Sequence, residues 1–72
     1  MEKRTVSVKP PFIRLDALLK FAGAAETGGR AKELVAQGKV LVNGEPCAQR
    51  GKKLRAGDVV AAGDWELTVE FE

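Results

Sequence analysis

Apolar residues in the first half of the chain recur at the spacing of amphipathic helices. Leu15, Leu18, Leu19 and Ala22 lie at i, i+3, i+4 and i+7, and Ala31, Leu34 and Val35 repeat this spacing. We predict one helix at about 12–22, starting at Pro11, and a second at about 28–37. Thr27 is suited to cap the second helix and Gly38 to end it. The two apolar stripes should pack together because the connection between them is short.

After Gly38 the apolar period changes to two, which is typical of strands. Asn43-Gly44 predicts a tight hairpin turn, and Pro46 indicates that the returning strand lies at a sheet edge. Further strands are predicted at 5–8, 59–62 and 65–71, the last with the clearest alternation. The predicted fold class is α+β, with a two-helix hairpin packed on a small antiparallel sheet of four to five strands.

The length and composition limit what this fold can do. A chain of 72 residues predicts a single domain, residues 1–72, whose small core needs nearly every apolar side chain, including Trp65 and the three phenylalanines. With one cysteine and no histidine, an intramolecular disulfide, the usual zinc sites and histidine acid-base chemistry are excluded. We find no apolar run of membrane-spanning length and no leader segment, and expect a soluble, cytoplasmic protein.

Charge is distributed unevenly along the chain. Residues 1–57 contain all 12 lysines and arginines and five of the ten acids, for a net charge of +7, whereas residues 58–72 contain five acids and no base. The densest cluster is the segment 49–55, which we call the basic loop; its cations are Arg50, Lys52, Lys53 and Arg55, and Leu54 is its only apolar anchor. Such a cluster is suited to phosphate binding through counterion release, although a solvated loop has the same composition.

Three further cations lie on the predicted helices. Arg30 and Lys32 follow Thr27-Gly28-Gly29, where a helix start and small residues could admit a phosphate. The alternative for Arg30 is a surface ion pair with Glu26 or Glu33. Arg14 lies beside the apolar stripe of the first helix and is a third candidate contact.

Together these residues resemble a known family. The ordered set comprises Arg14-Leu15-Asp16, Leu18-Leu19, Gly23, Thr27, Ala31, Leu34-Val35, Gly38, Val40, Val42-Asn43-Gly44 and Gly57-Asp58. It is similar to the RNA-binding domain named after the fourth small-subunit ribosomal protein, also called the alpha-L motif, over about residues 12–60. The whole length resembles the small stand-alone bacterial members. One departure is Gly28-Gly29, since many members carry an arginine directly after the residue that caps the second helix.

The resemblance implies binding to structured RNA, ribosomal or transfer RNA, possible association with a ribosome or ribosomal subunit, and no catalysis. By position it assigns RNA contacts to Arg14, Arg30, Lys32, Arg50, Lys52 and Lys53, to which the charge cluster adds Arg55. We expect a monomer with no cofactor, no metal and no membrane partner. The alternative is a protein–protein interaction adaptor without direct RNA contact, which a pull-down that survives nuclease treatment would favour. No catalytic or Walker-type spacing is present.

Overall fold

The computed structural model describes residues 2–72 as two helices, α1 and α2, and seven strands, β1 to β7. In chain order they are β1 (Glu2–Val8), β2 (Ile13–Arg14), α1 (Leu15–Phe21), α2 (Gly28–Ala36), β3 (Val40–Val42), β4 (Glu45–Pro46), β5 (Lys53–Leu54), β6 (Val59–Ala62) and β7 (Trp65–Phe71). The α+β class and the two-helix hairpin are confirmed.

Five strands form one sheet in the order β1-β7-β6-β3-β4. Within it β4, β3, β6 and β7 pair antiparallel, as predicted, and β4 with Pro46 lies at the edge. β1 pairs with β7 in parallel, with Val6 opposite Val69, so the sheet is mixed and not wholly antiparallel. The sequence gives no indication of this pairing, because β1 and β7 are the first and last strands and no turn links them.

The second sheet consists of β2 and β5. Its pairing makes the first helix start later than predicted. Ile13 pairs with Leu54 and Arg14 with Lys53, which holds residues 13 and 14 in extended conformation. α1 therefore starts at Leu15 and not near residue 12, and Pro11 does not occupy its first position. Arg14 is the N-cap residue and its side chain makes no capping hydrogen bond.

The predicted ends of α2 are confirmed. Thr27 Oγ1 accepts a hydrogen bond of 3.1 Å from the Arg30 N–H, as an N-cap residue does. Gly38 has a φ of 71°, and the N–H groups of Gly38 and Lys39 donate to Val35 and Leu34, which is a Schellman motif.

Both helices pack on one face of the large sheet, which we call the inner face. One buried cluster joins Leu15, Leu18 and Leu19 of α1 with strand residues such as Leu67 and Val69. Because side chains alternate along a strand, Glu66 and Glu70 lie on the opposite, outer face. Within residues 2–72, neither helix has the length and apolar character needed to cross a bilayer.

Candidate nucleic-acid interface

The basic loop is anchored to the first turn of α1 by backbone hydrogen bonds. The Leu15 N–H donates to the Lys52 carbonyl at 2.9 Å, and the Asp16 N–H donates to the Arg50 carbonyl at 3.0 Å. These carbonyls satisfy two N–H groups that a helix start leaves without intrahelical partners. Leu54 is fully buried, which confirms it as the anchor of the loop. The loop is therefore fixed in position relative to α1.

Arg14 lies directly against this loop. A methyl group added at Gly51 would be 3.5 Å from Arg14 Nη2, so the guanidinium covers the loop backbone at that point. The same nitrogen lies 3.3 Å from Asp16 Oδ2, and 54% of the Arg14 side chain is exposed. The pairing of β2 with β5 places Lys53 opposite Arg14 on the same side of the two-stranded sheet. Like charges held opposite one another destabilise a sheet unless an anion lies between them.

The cations of the basic loop have different surroundings. The Lys53 ammonium lies 5.0 Å from the centroid of the Phe12 ring, at cation–π distance. Lys52 lines a depression beside the β3–β4 hairpin, together with Asn43 and Cys47. Arg50 and Arg55 are exposed. Of the predicted loop contacts, only Lys53 is placed beside Arg14 by the strand register.

Asp58 fixes the end of the basic loop. Its carboxylate accepts hydrogen bonds from the Arg55 N–H at 2.8 Å and from the Asn43 amide at 3.1 Å. The backbone hydrogen bond from Arg55 is the main cause of a pKa for Asp58 below its ordinary value, and the bond from Asn43 and the charges of Lys52 and Arg55 add to it. Asn43 Oδ1 in turn accepts from the Val59 N–H. These bonds tie the hairpin turn to the turn that follows the loop.

The two predicted contacts on α2 lie on different sides of the helix. Arg30 and Lys32 are two residues apart, so their side chains project about 200° apart around the axis. Arg30 Nη1 forms an ion pair of 3.1 Å with Glu33 Oε2, which is one of the alternatives expected from the sequence. Lys32 lies one turn after Gly28, on the same side of the helix. Lys32 therefore lies on the side of α2 that carries Gly28, whereas Arg30 lies on the other side.

A shallow depression lies between the start of α2 and Arg14. It is lined by Gly28 of α2 and Lys20 of α1, together with Arg14, Asp16 and Ala17. A methyl group added at Gly28 would meet no atom within 4 Å, and at Gly29 only Thr27 Oγ1 at 3.8 Å. Packing within the described residues therefore does not require these glycines. We call Arg14, Lys20 and Lys53 the basic surface.

Phe21 departs from the predicted core. It is the one large hydrophobic residue exposed among residues 2–72, with 68% of its surface accessible. The helical spacing explains this exposure, because Phe21 lies outside the buried stripe formed by Leu15, Leu18 and Leu19. Trp65 is half-buried, with the Arg4 guanidinium 4.5 Å from its ring centroid. Lys20 is not among the contacts predicted from the sequence, and the structure places it in the same depression as Arg14.

No group of three or more metal-ligating residues occurs among residues 2–72. The geometry of the site is a set of cations around a fixed loop and two helix starts.

The family model described as the S4 domain matches residues 6–70. The chain belongs to the S4 domain family. The match includes every member of the basic surface and confirms the family resemblance seen in the sequence.

This S4 domain is also similar to a protein of Bacillus subtilis (strain 168), the probable ribosome maturation protein RlbA. The two are 44% identical over 55 residues, which cover 76% of this chain and 78% of the relative. Family and relative together indicate an RNA-related role.

Proposed function

We propose that this S4 domain is a non-catalytic RNA-binding module that contacts structured ribosomal or transfer RNA as a cytoplasmic monomer associated with ribosomes or their subunits. The name of the relative supports the ribosomal setting. The basic surface supports direct contact with RNA, because RNA helices are recognised largely through backbone phosphates and shape.

The observation that carries the proposal is the placement of Arg14 against the basic loop. Its guanidinium covers Gly51 and its register partner is Lys53. Only one carboxylate, Asp16, lies within ion-pair distance of Arg14 among the described residues. Two cations with one counter-charge form a site that a phosphate of an RNA backbone complements.

The seven predicted residues should not contribute equally to RNA binding. Arg14 and Lys53 lie at the centre, and Lys32, on the same side of α2 as Gly28, extends the surface. Arg50, Lys52 and Arg55 lie around the fixed loop and would meet phosphates further along an RNA helix. Arg30 is the weakest candidate because RNA must compete with Glu33 for its guanidinium.

Titration of structured ribosomal RNA fragments at several salt concentrations tests this function. For Arg14→Ala and Lys53→Ala we expect weaker binding and a shallower dependence of log affinity on log salt, by about 0.7 to 0.9 per lost phosphate contact. Lys3→Ala is the matched control, because Lys3 pairs in register with Glu66 on the outer face. Equal losses for Lys3→Ala and Lys53→Ala would contradict a localised interface.

A further inference from the structure

An apolar slot lies between β1 and α1, next to the basic surface. It has a volume of about 320 Å³, and its walls include Val8, Ile13 and the rings of Phe12 and Phe21. This volume is at the lower end of the range for small-ligand sites, about 300 to 1,000 Å³. Phe21 also borders a second depression along β1, lined by Arg4 and Ala22, so its ring is open on both sides.

The charges around the slot are mainly positive. Lys9 lines it directly, and the Lys53 ammonium lies over the Phe12 ring at its wall. Lys20 precedes Phe21 on α1, and it lines the same depression as Arg14. Among the described residues that line the slot, Glu72 is the one with an acidic side chain. An apolar interior with lysines around it complements a flat uncharged ring that carries phosphates on either side.

We propose that this slot binds one unpaired base of an RNA whose backbone lies on the basic surface, with Phe21 as the stacking platform. The inference rests on the proposed RNA-binding function and adds a specific element to it. Stacking on an exposed aromatic ring stabilises a bound base without requiring a particular sequence. Glu72 repels a phosphate from the slot itself and offers an acceptor to the exocyclic amine of adenine, cytosine or guanine.

The position of the slot favours a base over a peptide strand. β1 is a free sheet edge, so an extended peptide could pair with it. Pairing of that kind needs no cations, however, whereas Lys9 lines the slot and Lys53 lies over the Phe12 ring at its wall. Lys53 is also opposite Arg14 in the β2–β5 register. An RNA that occupied both sites would pass Lys53, which lies over the Phe12 ring at the slot and opposite Arg14 in the strand register.

Two RNA hairpins that differ by a single bulged nucleotide test the inference. In one the bulge is 2-aminopurine, whose fluorescence changes on stacking, and in the other the stem is fully paired. We expect Phe21→Ala to weaken binding of the bulged hairpin about 5- to 150-fold, the range measured for loss of one stacked base, and to abolish its fluorescence change. Binding of the paired hairpin and both salt slopes should stay as in the wild-type protein.

Phe21→Leu is the matched variant, because it keeps an apolar side chain and removes the aromatic face. It should behave as Phe21→Ala does in the fluorescence assay. Because Phe21 is exposed, neither variant should unfold the protein, which thermal denaturation checks.

Three results would overturn the inference. If the wild-type protein binds both hairpins equally and Phe21→Ala changes neither, the base slot is refuted while RNA binding stands. If sedimentation shows that Phe21→Ala converts a dimer into a monomer, the slot is occupied by a second copy. If the wild-type protein binds neither hairpin even at low salt, the RNA-binding function fails and the inference fails with it.

Discussion

Asn43 combines two structural roles in one residue. Its φ of 52° and the φ of 84° at Gly44 form the hairpin turn that the Asn-Gly dipeptide predicts. Its side chain also bonds to Asp58 and to the Val59 N–H, 15 and 16 residues further along the chain. The turn could be predicted from the sequence because it depends on two adjacent residues. The second role could not, because it exists only once β3 pairs with β6.

At this scale we expect Asp58→Asn to reduce the acid sensitivity of the fold. The pKa of Asp58 lies below its ordinary value in the folded protein, chiefly through the hydrogen bond from the Arg55 N–H. Its contribution to the free energy of unfolding is therefore complete above the unfolded pKa and is lost as pH falls through the folded pKa. Urea denaturation from about pH 7 to about pH 2.5 should show a shallower decline for the variant.

Asp64→Asn is the control for that measurement. Asp64 also lies in a turn, and within residues 2–72 its side chain accepts no hydrogen bond. We expect Asp58→Asn to change the acid sensitivity more than Asp64→Asn does, because Asp58 accepts hydrogen bonds from the Arg55 N–H and from Asn43. Parallel profiles for Asp58→Asn and wild type would show that the hydrogen bonds to this carboxylate contribute no acid dependence.

At the scale of elements, the basic loop and the start of α1 form one unit. Leu54 was predicted as the anchor because it is the one apolar residue of the basic loop. The apolar spacing predicted the helix, but it placed the helix start about three residues too early. The reason is the pairing of Ile13 with Leu54, a contact between segments 41 residues apart in the sequence. The same strand pairing places the predicted contacts Arg14 and Lys53 opposite one another. Composition alone could not reveal that these two residues are neighbours.

Two glycines at this loop should respond oppositely to the same substitution. Gly51→Ala places its methyl group at ordinary van der Waals distance from the flexible end of Arg14, so it should stabilise the protein by about 0.4 to 1 kcal/mol through the unfolded state. Gly57→Ala should destabilise it by about 1 to 2 kcal/mol, since Gly57 has a φ of 93°. Urea denaturation measures both. Changes of the same sign would contradict this account of the loop backbone.

At the scale of the whole molecule, the fold places basic and acidic residues on different surfaces. In the sequence these residues are separated only along the chain. The basic surface lies on α1 and the basic loop, whereas Glu66 and Glu70 lie on the outer face of the sheet. The sequence predicted a dipolar molecule from its charge distribution. It could not indicate that β1, which carries Lys3 and Arg4, lies beside the acidic β7.

Neutralising the outer face should therefore affect RNA binding only at low salt. The molecule measures 30 × 24 × 22 Å. Charges on its far side are screened at about 0.15 M salt, where the Debye length is about 8 Å, but not at about 0.01 M, where it is about 30 Å. Glu66→Gln with Glu70→Gln should change RNA affinity less than about twofold at the higher concentration and raise it more at the lower one. A large gain at both concentrations would place RNA on the outer face.

The parallel pairing of β1 with β7 has a consequence for how the protein opens. Residues that meet in this pair, such as Val6 and Val69, are separated by most of the chain, so the contact carries a large loop-closure entropy and is expected to form late in folding. β1 also supplies one wall of the apolar slot through Val8. Local unzipping of β1 should therefore dismantle the slot while the helical hairpin and the basic loop stay folded, so amide exchange along this one strand would report on the slot alone.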